Sequence, residues 1–121
     1  MTIRQAEIWL VDLAPTIGSE ITKRRPCLVI GDDAVGILPS KTILPITGWN
    51  PIYEQVPWMI LCTPDTHNGL TKPSAIDAFQ IRNLSIRRFV KRLGTIDDDL
   101  LFQVHQIVAK TLSVRYSLVV K

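Results

Sequence analysis

Little in this sequence lends itself to metal, redox or membrane chemistry. Cysteine occurs twice, as Cys27 and Cys62, each inside an apolar run rather than in a Cys-x-x-Cys pair, so neither a zinc ribbon nor a dithiol motif is written here. Both thiols read as buried small hydrophobes. The histidines, His67 and His105, lie far apart with no Cys or carboxylate at ligand spacing, so no metal and no cofactor is expected. The longest apolar stretches, Ile8 to Leu13 and Met59 to Cys62, fall far short of the roughly 20 residues of a membrane-spanning helix. The stretch from Met1 to Glu7 lacks the apolar centre of a secretion signal, which predicts a cytoplasmic protein. Internal repeats and low-complexity tracts are also missing.

What is present suffices for one domain spanning 1–121. A chain of 121 residues is long enough for a single core and too short for two ordinary domains. Hydrophobic residues at 46% and charged residues at 21% exclude a disordered chain. The formal net charge of +3 favours polyanionic partners only modestly, and placement says more than the total. Cations cluster at Lys23, Arg24 and Arg25 and again from Arg82 to Arg92, while acids gather at Asp97, Asp98 and Asp99. Either basic run also reads as a solvated surface.

Strand-length segments follow one another from the start. Glu7 to Leu13 reads as a strand that exits at Pro15 and Gly18. A polar loop then delivers Arg25 to the start of a buried strand, Pro26 to Ile30. Lys41 to Thr47 resumes a strand, in which Pro45 suggests an edge or a bulge. Gly48 to Pro57 reads as a hairpin loop leading into Trp58 to Thr63. Ser74 to Arg82 holds one or two further strands, Ser85 can cap a single helical turn, and Phe89 to Ile96 is again extended. Only the C-terminal part is helical. Asp97 fits an N-cap, and Leu100, Val104, Ile107, Val108, Thr111 and Leu112 recur at helical spacing, giving an apolar face to lay on a half-exposed antiparallel sheet. The fold class is mainly β (α+β).

Chemistry is most readily carried where loops leave polar groups at the ends of rigid strands. Two places qualify: the charged loop from Gly18 to Pro26, and Thr47-Gly48-Trp49-Asn50. An Arg offers a planar, permanently charged fork to two phosphate oxygens, and a Thr hydroxyl can donate to a third. RNA carries its own nucleophile, the 2′-OH, so a protein that aligns the phosphate and stabilises its growing charge can cleave without a metal. Taken singly, Arg25 is more often a surface ion-pair residue and Thr47 an ordinary strand-end Thr. Spacing alone does not choose.

These same segments, in order, resemble the MazF/PemK family of toxin endoribonucleases over nearly the full chain. The resemblance runs from Glu7 to Leu13 with Pro15, through Gly18-Ser19-Glu20, Arg25-Pro26 and Ile43 to Thr47. It continues through Gly69-Leu70 with Ser74, and Gln80-Ile81-Arg82, to Leu93-Gly94 before the acidic helix start. It implies an SH3-like twisted β-barrel with a C-terminal helix, assembled as a homodimer with RNA near the interface. It also implies cleavage of single-stranded RNA, commonly mRNA, to 2′,3′-cyclic phosphate and 5′-OH ends. The family's catalytic Arg falls on Arg25 and its catalytic Thr on Thr47; Ser19, Glu20, Lys23, Arg24, Trp49, Gln80 and Arg82 are the RNA-binding positions expected in this chain. A cognate antitoxin with an acidic tail is the implied partner, the pair also binding DNA. Two departures stand out. Gln5-Ala6-Glu7 keeps the family's acid and loses its Gly, and Gly48-Trp49 replaces a small polar residue, leaving Trp49 either to stack a base or to pack under the loop. Two other readings keep the fold without the chemistry: a topoisomerase poison acting by protein contact, and an inactive RNA-binding relative.

Overall fold

The computed structural model describes residues 2–13, 24–35 and 38–115, so the part of the predicted Gly18 to Pro26 loop up to Lys23 lies outside them. Seven strands are present: β1 Glu7–Asp12, β2 Arg24–Val29, β3 Ser40–Gly48, β4 Met59–Cys62, β5 Ser74–Asp77, β6 Arg82–Ser85 and β7 Phe89–Thr95. One helix, α1 Asp98–Thr111, follows them. Asp97 caps it as expected, its carboxylate accepting the Leu100 N–H at 2.8 Å, and Val104 and Val108 are its buried residues. Ser85 likewise caps the single turn at Ile86–Arg88, accepting the Arg87 N–H at 3.2 Å.

All pairings are antiparallel, in the spatial order β4-β5-β3-β2-β1-β7, with β6 also on β3. The expected hairpin between β3 and β4 does not form. A short 3-10 turn, Pro51–Gln55, fills that connection, and β5 inserts between the two strands, pairing Thr47 with Ala75 on one side and Leu61 with Ala75 on the other. Pro45 is likewise on no edge. Its strand is flanked by β2 on one side and by β6 and then β5 on the other. The Ile30 N–H to Thr42 C=O bond sets the alternation that turns the Pro45 nitrogen toward the second side. There the β6 ladder has ended at Ile43 and the β5 ladder begins at Ile46, so the missing donor falls where β3 changes partner. The same fork bears on the barrel: the two halves of β3 feed different strands, and among the described residues β4 and β7 do not pair to close the ring. The strand and helix content is that expected, arranged as an open, branched sheet.

Alternation on the central strands loads both faces. Ile8, Leu28, Leu44 and Ile46 join Val104 and Val108 in one core beneath the helix. Their neighbours Trp9, Val11, Cys27, Val29 and Ile43 meet Leu84 and Phe89 in a second core on the other face. The sheet centre is thus buried on both sides rather than half-exposed, which explains the unbroken apolar run Cys27-Leu28-Val29-Ile30. Glu7 ties the first strand down. Buried at 8% exposure, it accepts from the Arg4 N–H at 2.6 Å, the Trp9 indole at 3.1 Å and Arg92 Nε at 2.6 Å. A buried carboxylate needs such partners, and these three come from both strands of the β1–β7 pair and the turn before it.

Two glycines, Gly69 and Gly94, let a loop lie directly on β7. A Cβ at Gly69 would stand 2.1 Å from the Leu93 carbonyl oxygen, and one at Gly94 would stand 2.1 Å from that of His67. The contact is fastened by the Thr95 N–H donating to the His67 carbonyl at 2.9 Å. Beside it the buried Asn68 amide donates to the Thr63 carbonyl at 2.9 Å and accepts the Leu70 N–H at 3.0 Å.

Candidate functional site

The register of β2 and β3 decides where the two candidate catalytic residues meet. Cys27 lies opposite Pro45, so two residues further along Arg25 lies opposite Thr47, both on the face of the second core. The Arg25 Nη1 donates to Thr47 Oγ1 at 3.3 Å. Both side chains are half-buried. Arg25 is the second residue of its strand rather than the last of a loop, and its neighbours on the ladder, Val11 and Cys27, are fully buried, which anchors its stem.

Arg25 and Thr47 sit on the divide between two concavities and line both. One, of about 440 Å³, is bounded by Arg24, Pro26, Ile46, Gly48, Lys72 and Ser74. The other, of about 280 Å³, is bounded by Leu13, Pro45, Tyr53, Met59, Asp77, Gln80 and Arg82. Together they make a groove across the sheet with cations on either side of the Arg25–Thr47 contact, suited to a polyanion that passes over it. A larger hollow of about 500 Å³, lined by Thr2, Ile3, Arg4, Asp33, Leu38, Lys41 and Ile86, shares no residue with this groove.

Burial pushes the Cys27 thiol up to about 12, with Arg82 and then Arg25 opposing that rise. The same two guanidinium groups therefore act on a point in the second core behind the site, and Cys27, lining neither hollow, stays neutral.

Of the expected RNA-binding positions, Arg24 lines the first concavity and Gln80 and Arg82 the second. Ser19, Glu20 and Lys23 lie outside the described residues. Trp49 lines neither hollow: its ring packs edge-on against Tyr53 with centroids 5.7 Å apart, and its backbone N–H donates to the Pro73 carbonyl at 3.0 Å. Among the described residues, Tyr53 is the aromatic that lines the groove.

Sequence reasoning missed Lys72, Tyr53 and Asp77. Lys72 arrives because β5 pairs with β3, which brings the loop before Ser74 alongside Gly48. A Cβ at Gly48 would stand 3.3 Å from Lys72 Nζ, so the glycine that departs from the family pattern lies directly against the ammonium. The Ser74 hydroxyl donates to the Lys72 carbonyl at 2.9 Å and fixes the turn. Gly48 was the one available signal for Lys72. Asp77 accepts from the Phe79 N–H at 3.0 Å and from Gln80 Nε2 at 2.9 Å. Among the described residues no three His, Cys, Asp or Glu side chains are grouped to hold a metal ion, and no helix is long and apolar enough to cross a membrane.

Comparison with known proteins gives this geometry a family. Residues 4–112 match the family model described as PemK-like, MazF-like toxin of type II toxin-antitoxin system. Endoribonuclease MazF9 of Mycobacterium tuberculosis is 30% identical over 100 residues, covering 78% of this chain and 82% of that protein. Endoribonuclease MazF2 of Mycobacterium bovis is 28% identical over 113 residues, covering 93% of this chain and 98% of the relative. Among solved structures, a MazE-MazF crystal structure (Form-II) from Deinococcus radiodurans superposes with a TM-score of 0.77 at 23% identity, covering 95% of this chain and 99% of that one. An endoribonuclease in complex with its cognate antitoxin, from a mycobacterial species, superposes with a TM-score of 0.74 at 16% identity, covering 95% and 99%. With 4–112 matched as one unit and the same fold recovered from end to end, this chain belongs to the PemK-like, MazF-like toxins of type II toxin–antitoxin systems.

Proposed function

We propose that this toxin is a metal-independent endoribonuclease that cleaves single-stranded RNA, mRNA included, at short sequence motifs. The observation that carries the reading is the Arg25–Thr47 contact on the divide between two hollows, 3.3 Å from Nη1 to Oγ1. A phosphate laid on that divide meets a guanidinium fork and a hydroxyl donor at once, while the nucleotides on either side fall into the two hollows. The ribose 2′-oxygen attacks the adjacent phosphorus, the new 2′-O–P bond forms as the P–O5′ bond breaks, and the products are a 2′,3′-cyclic phosphate and a 5′-OH. The proton lost by the 2′-OH is balanced by the one gained at the leaving 5′-oxygen. Arg25 stays charged throughout and stabilises the extra negative charge on the phosphoryl oxygens, where a donor placed in a partly dry site is worth most. Thr47 orients one of those oxygens. Lys72 and Arg24 hold the flanking phosphates.

In this reading the toxin is a cytoplasmic homodimer held inactive by a cognate antitoxin. The relatives solved as toxin–antitoxin complexes support such a partner. An acidic, disordered antitoxin tail would be drawn to the same cationic groove.

The test is incubation of purified protein with several mRNAs in excess EDTA, with the released ends analysed by mass spectrometry. Fragments ending in 2′,3′-cyclic phosphate and 5′-OH support the reading. RNA left intact, with inhibited DNA supercoiling instead, supports a protein-contact poison.

A further inference from the structure

Resting on the nuclease reading, we infer that the smaller hollow beside Arg25 and Thr47 is a base pocket that selects guanine through Asp77 and Arg82. Because the hollow shares Arg25 and Thr47 with the phosphate divide, whatever fills it is the nucleoside directly attached to the phosphate being cut. Its size sets the class of occupant. At about 280 Å³ it falls just under the ~300–1,000 Å³ of drug-sized ligand sites, which suits one nucleobase and not a longer piece of chain. Tyr53, Met59 and Pro45 supply flat and apolar wall, and Asp77, Gln80 and Arg82 supply the polar groups.

Asp77 chooses among the bases. A carboxylate in a cationic groove opposes phosphate binding, and among the described residues no lysine or arginine nitrogen lies within 4.0 Å to neutralise it. Its direction is fixed instead by two donors, the Phe79 N–H on Oδ1 and Gln80 Nε2 on Oδ2. Each oxygen keeps a lone pair, so the group presents two adjacent acceptors and no donor. Guanine is the one common base with two neighbouring donors on its Watson–Crick edge, N1–H and the N2 amino group. Adenine, cytosine and uracil each offer one there. Guanine also turns O6 and N7 toward an arginine fork, which Arg82 provides on the same wall. Single-stranded RNA exposes both edges at once.

The simpler role for Asp77, capping the turn at Ala78 and Phe79, is separated by Asp77→Asn, because Asn keeps the acceptor for the Phe79 N–H and puts a donor in place of Oδ2, the oxygen that also accepts from Gln80 Nε2. Two experiments decide. First, wild type and Asp77→Asn digest a random single-stranded RNA pool, and the cut ends are sequenced. The inference expects guanine enriched roughly 10-fold or more at one position flanking the wild-type cut, and that enrichment lost in the variant. Cut sites without guanine at either flank, or an unchanged motif in Asp77→Asn, overturn it while leaving the nuclease intact. Second, uncleavable 2′-deoxy uridine hexanucleotides carrying one guanine on either side of the central phosphate are compared in binding with the same oligonucleotides carrying inosine, which lacks the N2 amino group. At least 5-fold tighter binding of a guanine form supports the pocket even if wild type were to cut nothing, and equal binding of guanine and inosine overturns it.

Discussion

Arg25 and Thr47 face one another across the β2–β3 ladder, guanidinium to hydroxyl at 3.3 Å, because the pairing of Cys27 with Pro45 places them two residues further along the same face. Their separation in sequence hides this. The contact orients the fork and leaves it at the meeting point of two hollows, which is where the chemistry of the account resides.

Lys72 is the groove cation most directly tested by salt. If it neutralises one phosphate, Lys72→Ala weakens binding of uncleavable single-stranded oligonucleotides and lowers the slope of log K against log salt by about 0.7. Gly48→Ala, which crowds Nζ, shifts affinity in the same direction by a smaller amount. Titrations at several salt concentrations check both, and an unchanged slope in Lys72→Ala removes it from the groove.

Ala6 occupies a left-handed backbone conformation, φ 73°, at the position where the resembled family carries glycine. A Cβ there is strained by about 1–2 kcal/mol, part of which glycine gives back through its freer unfolded state. Ala6→Gly is therefore expected to stabilise the protein by about 0.5–1 kcal/mol, raising Tm by a few degrees. Calorimetry of the two proteins measures it.

Gly94→Ala and Gly69→Ala should behave in the opposite way. Each added Cβ meets a backbone carbonyl oxygen at 2.1 Å, and Gly69 also has φ +71°, so the loop must lift from β7. Losses above about 2 kcal/mol follow from such overpacking, with hydrogen-exchange protection lost at the Thr95 amide. Substitution at Gly31, whose Cβ would meet Thr42 at 3.4 Å, is the milder control.

Burial raises Cys27 to about 12 and Cys62 to about 11. Native protein at pH 8 should resist alkylation until it unfolds. The sign for stability follows from proton binding. Above the ordinary thiol value of 9.0 the unfolded chain releases protons that the folded chain keeps, so stability falls as pH rises from about 9 toward 11 and 12. Cys27→Ala should flatten that decline, which urea unfolding at pH 7, 9 and 10 would show.

Local signals made the helix legible: Asp97 as its cap and the spacing of Val104 and Val108 are both found as read. The strand positions were legible for the same reason, through alternation and turn residues. What sequence could not convey was which strands pair. Pro45 looked like an edge because a proline in a central strand needs a gap in the ladder, and that gap exists only through the change of partner from β6 to β5. The insertion of β5 between β3 and β4 in turn brought Lys72 to Gly48, a contact with no periodic signature. Arg25 and Thr47 were singled out because strand ends and the family resemblance both pointed to them, and the fold brings the two into contact. Asp77 and Tyr53 sit in segments whose polar residues look like any turn, and only the folded groove distinguishes them.

The central claim rests on the pair rather than on either residue. Its most direct measurement is the single-turnover rate of RNA cleavage in EDTA for wild type, Arg25→Ala, Arg25→Lys, Thr47→Ser and Thr47→Val. Loss of one preorganised donor to the transition state lowers the rate by roughly 100- to 1,000-fold, which is expected for Arg25→Ala and, at the lower end, for Thr47→Val. Arg25→Lys should recover little, since a point charge cannot replace the fork, and Thr47→Ser should retain most of the rate. Cleavage by Arg25→Ala or Thr47→Val at the wild-type rate, with both variants folded, would contradict the account.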